Sequence, residues 1–270
     1  MENMTFDTND YMSKIAAREL SRTIKFASLR CLSPAEIMSE LAELDEAEDQ
    51  SDYISRLLDL KLNQSELELL ELTMETLVQR ADKAPPKLKK KIHYVLLRLV
   101  RALPSDAACR FAEPFVDHRL KTVRERAFSA LRNKQISESI AEKLTNIFCM
   151  LGDQEALELI ARNPERVPKV GGEFLLTNLT ERYWRGRVLE ALLRHDRSTA
   201  MTLADRFPFE FAHAVGRTED RTLLEPLRGL FDAHPNNLEF LSIYAYALGK
   251  LSAKADLESL EKYVRPTTLP

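Results

Sequence analysis

Glycine and proline are scarce in this chain of 270 residues. There are seven glycines and twelve prolines, which is about 7% of the residues where ordinary usage gives about 12%. Sandwiches, barrels and nucleotide-binding folds with glycine-rich loops need many tight turns, so this shortage argues against them. β-Branched apolar residues are also few, with ten valines and ten isoleucines. These deficits exclude most β architectures.

Long apolar runs and paired cysteines are missing as well. No stretch approaches the roughly 20 apolar residues of a membrane helix, and residues 1–10 are neither a secretory signal nor a basic transit peptide. Cys31, Cys109 and Cys149 are far apart in the chain and form no CxxC pair. This usage predicts reduced, buried thiols in a cytoplasmic protein.

Sequence motifs for chemistry are not found. The chain has no phosphate loop, nucleophile elbow, HExxH motif or zinc-spaced set of cysteine and histidine. Glu210 and His213 have the spacing of two ligands on one helix face, but di-iron sites need that motif twice. We therefore predict no cofactor, no metal site and no catalytic set.

Leucine and alanine dominate what is present, with 43 and 27 residues. Both are strong helix formers. Ser33-Pro34-Ala35-Glu36 combines a capping serine, a proline at the first helical position and a reciprocal glutamate. Asn63 to Glu66 opens another helix, and a helix from Ser137 should stop at Gly152. The pattern predicts an all-α protein of about fifteen short helices.

An internal repeat is the most informative feature. Residues 123–131 (VRERAFSAL) align with residues 184–192 (WRGRVLEAL), and both end in Ala-Leu. Further Ala-Leu pairs at 102 and 247 give intervals of 28, 61 and 56 residues, close to multiples of about 30. Small alanine lets neighbouring helices approach, and leucine fills the seam. Units that bury a face only against the next unit are typical of a solenoid.

The repeat resembles the HEAT family over about residues 105–265. The residues that carry the resemblance are Asp117, Val123, Arg124, Ala127 and Leu131, with a second copy at 245–260. It implies antiparallel helix hairpins in a right-handed α-solenoid, in which Asp117 and Arg124 bond between repeats. The unit is shorter than the usual 40 to 47 residues, so tetratricopeptide or armadillo-like stacking stays open. We expect an N-terminal capping region at 1–32, one solenoid at 33–265 and a tail at 266–270.

Charge is segregated along the chain, although the net charge is only −3. Residues 35–82 hold 14 acidic and 3 basic residues, whereas residues 83–134 hold 14 basic and 4 acidic residues. Stacked helices could merge the bases into one cationic strip, which suits a phosphate backbone or an acidic protein. The predicted strip consists of Lys87, Lys89, Lys90, Lys91, Arg98, Arg101, Arg124, Arg126 and Arg132.

These patterns favour a non-enzymatic scaffold or adaptor that binds a macromolecular partner on its concave surface. A protein partner is favoured over nucleic acid, because opposite charges adjoin along the chain and the isoelectric point near 6.1 is low for a DNA-binding protein. Nucleic acid remains possible through residues 83–134, and no membrane partner is expected.

Two alternative functions stay open. Residues 183–187 (YWRGR) resemble the Trp-plus-Arg helix of HEAT-like alkylpurine DNA glycosylases. That resemblance implies a groove at Trp184, Arg185 and Arg187, with Asp196 or Asp205 as the candidate acid. The other alternative is an immunity or inhibitor protein that blocks a cognate toxin.

Overall fold

The computed structural model describes residues 19–20, 23–24, 27–28, 30–43, 50–234, 237–260 and 263. Every regular element within these ranges is helical, with sixteen α-helices and three short 3₁₀ helices. The all-α prediction is therefore confirmed. Most of the predicted capping region at 1–32 and the whole tail at 266–270 lie outside the described residues. The chain forms two compact units, residues 1–114 with 129–131 and residues 115–128 with 132–270.

The first unit is built from helices that carry the predicted caps. They are α1 (Pro34–Ala42), α2 (Ser51–Leu58), α3 (Gln64–Lys83), α4 (Pro86–Leu99), the 3₁₀ helix Val100–Ala102 and most of α5 (Ser105–Val116). Ser33 Oγ accepts a hydrogen bond from the Glu36 amide at 3.3 Å, and the Glu36 carboxylate accepts one from the Ser33 amide at 2.7 Å. Asn63 and Glu66 repeat this exchange. Both capping boxes are thus confirmed, and they satisfy amides that a first turn leaves without partners.

The second unit holds the remaining helices. They are most of α6 (Lys121–Leu131), α7 (Glu138–Leu151), α8 (Gln154–Ala161), α9 (Val167–Val170), α10 (Gly172–Asn178), α11 (Arg182–His195), α12 (Arg197–Leu203), α13 (Pro208–Thr218), α14 (Leu224–Ala233), α15 (Leu238–Lys250) and α16 (Lys254–Ser259). The 3₁₀ helices Pro164–Arg166 and Arg221–Leu223 precede α9 and α14. Gly152 ends α7 at a φ of 66°, the left-handed conformation that glycine adopts without strain. The predicted stop is confirmed.

Close helix packing organises the second unit around α13. This helix packs against both α11 and α15. A Cβ added at Gly216 would lie 2.7 Å from the Tyr246 ring and 3.1 Å from Ala247 Cα. At the other seam, a Cβ at Gly186 would lie 3.5 Å from His213 Nδ1. Only glycine fits at Gly216, because real Cβ contacts are longer than this.

The Ala-Leu pairs of the internal repeat belong to the core. All of their residues are buried except Ala102, which is half-buried. None of the three cysteines forms a disulfide bond, and only Cys109 is buried. The expected burial is wrong for Cys31 and Cys149, which lie at exposed helical positions. Within the described ranges, no helix combines the length and apolar character that a membrane crossing requires.

Candidate functional site

The predicted cationic strip is divided between the two units. Its residues up to Arg101 belong to the first unit, whereas Arg124, Arg126 and Arg132 belong to the second. In the first unit, Arg98 donates hydrogen bonds to the hydroxyls of Ser51 and Ser55 at 3.1 and 3.2 Å. Arg98 therefore ties α4 to α2 and contributes to packing as well as to surface charge.

Arg124 is occupied by internal contacts. It is buried, donates to the carbonyl oxygen of His118 at 3.0 Å and lies 3.9 Å from the Asp153 carboxylate. Asp117, which the HEAT resemblance also expects to bond between successive repeats, lies 3.6 Å from Lys143. Arg124 thus holds the loop before α6 against the start of α8 and presents little charge to solvent.

A different group of basic residues surrounds a cleft within the second unit. The cleft has a volume of about 450 Å³ and lies between the loop after α6, the loop after α8 and the start of α11. Its described lining residues are Arg132, Asn133, Lys134, Gln135, Arg162, Asn163, Pro164, Tyr183, Trp184 and Arg187. Four of these residues are basic and none is acidic, although Glu155 and Glu190 outside the lining pair with Arg132 and Arg187.

Asn163 fixes the two loops that form the walls of the cleft. Its buried side chain accepts a hydrogen bond from the Ile136 amide at 2.9 Å and donates one to the Leu159 carbonyl oxygen at 2.9 Å. Arg166 Nε donates to the Ile136 carbonyl oxygen at 2.8 Å. Because buried polar groups with satisfied partners hold one geometry, these bonds set the distance between the walls.

Trp184 and Arg162 form the centre of the cleft. Trp184 is 6% exposed, and the guanidinium carbon of Arg162 lies 4.3 Å from the centroid of its ring. The Tyr183 ring packs edge-on against Trp184 at 4.8 Å and is itself 52% exposed. A guanidinium over an aromatic face gains cation–π attraction while its N–H donors stay in their own plane. No described residue accepts a hydrogen bond from the Arg162 guanidinium, although the Glu158 carboxylate interacts with it electrostatically.

Arg187 reaches the cleft from a buried ion cluster. The Glu190 carboxylate is 6% exposed, accepts a hydrogen bond from Arg187 at 2.8 Å and forms ion pairs with Arg217 at 2.8 Å and with Arg194 at 2.9 Å. Three guanidinium groups around one carboxylate leave a net positive charge. The shared carboxylate holds Arg187 in one orientation, which lowers the entropy that it would lose on binding a ligand.

Glu210 and His213 do not act as a ligand pair. The buried Glu210 carboxylate forms an ion pair with Arg185 at 2.9 Å, whereas His213 stacks on Tyr246 with 5.6 Å between ring centroids. Burial, together with the Arg217 charge, lowers the pKa of His213. In the part of the chain that is described, no group of three or more histidine, cysteine, aspartate and glutamate residues could hold a metal ion.

The residues of the predicted groove therefore do not all lie in one site. Trp184 and Arg187 line the cleft, but Arg185 turns to Glu210. Asp196 accepts hydrogen bonds from Thr199 and Ser198, which lower its pKa and cap α12. Neither Asp196 nor Asp205 lines the cleft.

Sequence reasoning did not find Glu190 or Arg162. A local signal existed for Glu190, because Arg187 and Arg194 stand three residues before it and four after it on one helix face. Arg162 has no such signal, because its contact with Trp184 joins the end of α8 to the start of α11, which are far apart in the sequence.

Comparison with known proteins assigns no family to the chain. No family model matches it, and neither the curated proteins nor the solved structures contain a significant match.

Proposed function

We propose that the protein is a non-enzymatic binding module for an acidic protein partner, built from HEAT-like helix hairpins. The observation that carries the proposal is the cleft of the second unit, where four basic side chains and no acidic residue form the described lining. Such a concave, charged site attracts an oppositely charged partner and orients it. The packing of α13 against α11 and α15 supports solenoid stacking within this unit.

The glycosylase alternative is less well supported. Glycosidic bond cleavage at a flipped base calls for a carboxylate near the reacting atoms and a stacking surface for the base. The described lining offers no carboxylate, and the Arg162 guanidinium already covers Trp184. A binding role needs neither feature.

Affinity capture with two charge-reversal variants tests the proposal. Arg132→Glu with Lys134→Glu changes the cleft, whereas Lys87→Glu with Lys90→Glu changes the first-unit part of the predicted strip by the same amount. We expect a captured partner, once purified, to form a one-to-one complex with the wild type. The cleft pair should weaken that complex at physiological salt, and the α4 pair should leave it unchanged.

Each result that contradicts the proposal leads to a different conclusion. A complex lost only in the α4 pair would assign the partner to the predicted strip, and a complex that neither pair weakens would refute charge-based recognition. Release of a methylated purine from alkylated duplex DNA, abolished by Trp184→Ala, would replace the proposal with the glycosylase function. A toxin as the captured partner would identify an immunity protein.

A further inference from the structure

We infer that the cleft of the second unit is a binding site for a carboxylate-rich linear peptide, and that Arg162 receives a carboxylate of that peptide. The inference rests on the proposed function and names the ligand chemistry of the site. It combines three observations: the stacking of Arg162 on Trp184, the partial pairing of two further arginines, and the occlusion of the tryptophan ring.

Arg162 is presented as an anion receptor. Its guanidinium carbon lies 4.3 Å from the Trp184 ring centroid, and no described residue accepts a hydrogen bond from it. Because the guanidinium carbon lies over the aromatic face, cation–π attraction holds the group at the ring, and its N–H donors have no described acceptor. A planar fork of donors matches a carboxylate with two parallel hydrogen bonds.

Arg132 and Arg187 are each paired with a glutamate but have further N–H donors. Arg132 donates to Glu155 at 3.1 Å, and Arg187 donates to Glu190 at 2.8 Å. Neither glutamate is among the lining residues of the cleft. Because a guanidinium carries five N–H donors, one hydrogen bond to a glutamate outside the lining orients each arginine without using up its capacity. Lys134 supplies a fourth positive charge.

The site fits a peptide better than a nucleic acid. Bases bind to open aromatic faces, but Trp184 is buried, covered by Arg162 and flanked by Tyr183. Nucleic-acid affinity also grows with the number of phosphates neutralised along a track, and a cleft of about 450 Å³ accommodates a few side chains only. The exposed Tyr183 ring at the edge offers an aromatic contact of the kind that protein interfaces favour.

Tryptophan fluorescence provides a direct readout, because Trp184 is the only tryptophan in the sequence. The full chain is titrated with hexaglutamate at physiological salt, with hexaglutamine and a six-nucleotide single strand as comparison ligands. We expect a saturable change with hexaglutamate only. Arg162→Gln should weaken this binding by about tenfold or more, because a charge-assisted pair of hydrogen bonds is lost.

Two further variants control for charge and shape. Arg221→Gln removes one exposed arginine that does not line the cleft, and it should bind hexaglutamate as the wild type does. Arg162→Lys keeps the charge but loses the planar fork, so its affinity should fall between those of the wild type and Arg162→Gln. The urea midpoint of each variant is also measured, and an unchanged midpoint shows that the variant keeps the wild-type fold.

Several results would overturn the inference. These are tighter binding of the single strand, equal losses in Arg162→Gln and Arg221→Gln, or no fluorescence change with hexaglutamate. Tighter binding of a phosphoserine peptide of equal length would reassign the cleft to phosphate. If a captured partner still depends on the cleft charges while hexaglutamate does not bind, the peptide inference fails and the proposed function stands. If neither binds, both fail.

Discussion

Replacing Glu190 by glutamine removes the negative charge that three arginines share. Glutamine keeps the length of the side chain, but its single carbonyl oxygen cannot accept from Arg187, Arg194 and Arg217 together. Removing one partner of a fully buried ion pair costs about 3–5 kcal/mol. Because these arginine side chains are 24% to 49% exposed, solvent recovers part of that cost. We therefore expect the free energy of unfolding to fall by about 2–3 kcal/mol.

Urea unfolding followed by Trp184 fluorescence measures this loss, since Trp184 and Glu190 lie on the same helix. Glu239→Gln is the matched control. Its carboxylate is 60% exposed and pairs with Arg182, so its removal should cost about 0.5 kcal/mol or less. Equal losses in the two variants, or an unaltered midpoint in Glu190→Gln, would refute the view that Glu190 anchors the arginines beside the cleft.

Two further predictions concern α13. Gly216→Ala should destabilise the fold by about 1–3 kcal/mol through overpacking against Tyr246. The control Gly229→Ala, whose Cβ meets no atom within 4 Å, should stabilise it by about 0.5–1 kcal/mol. Thermal unfolding compares the two variants, and similar shifts in midpoint would contradict the close approach of α13 and α15 at Gly216. His213→Gln should flatten the loss of stability on acidification. Burial and the Arg217 charge lower the pKa of His213 in the folded state, so the wild type loses stability as the pH falls below the ordinary value of 6.5 and the unfolded state takes up the proton first. Urea midpoints from about pH 7.5 to about pH 5.5 measure this effect, and parallel curves for variant and wild type would exclude it.

The helices could be predicted from the sequence because their signals are local. The capping boxes at Ser33 and Asn63 each involve residues three apart, and the structure confirms both. The stop at Gly152 likewise depends on one backbone conformation. Burial of the Ala-Leu pairs could be predicted because the same pattern recurs several times in the sequence.

The candidate site could be predicted only in part, because its geometry depends on distant residues. Trp184 and Arg187 were singled out by their motif and do line the cleft. Counting charges along the sequence gives every arginine the same weight in the predicted strip. In the structure, Arg124 instead donates a hydrogen bond to the carbonyl oxygen of His118. Arg162 gains its role only from the fold that places it over the tryptophan.

The identity of the basic residues in the cleft bears on how ligand binding depends on pH. Three of its four basic residues are arginines, and a guanidinium keeps its proton at any pH in which proteins stay folded. Burial and the charges of Glu181 and Glu155 raise the pKa of Glu158, whose carboxylate interacts electrostatically with Arg162 and Arg132. Protonation of Glu158 makes the surroundings of the cleft more positive and favours an anion, so a decline of affinity on acidification reports protonation of the bound anion. Affinity that fades only near about pH 4 identifies carboxylates, whereas affinity that already declines near about pH 6 identifies a phosphate monoester.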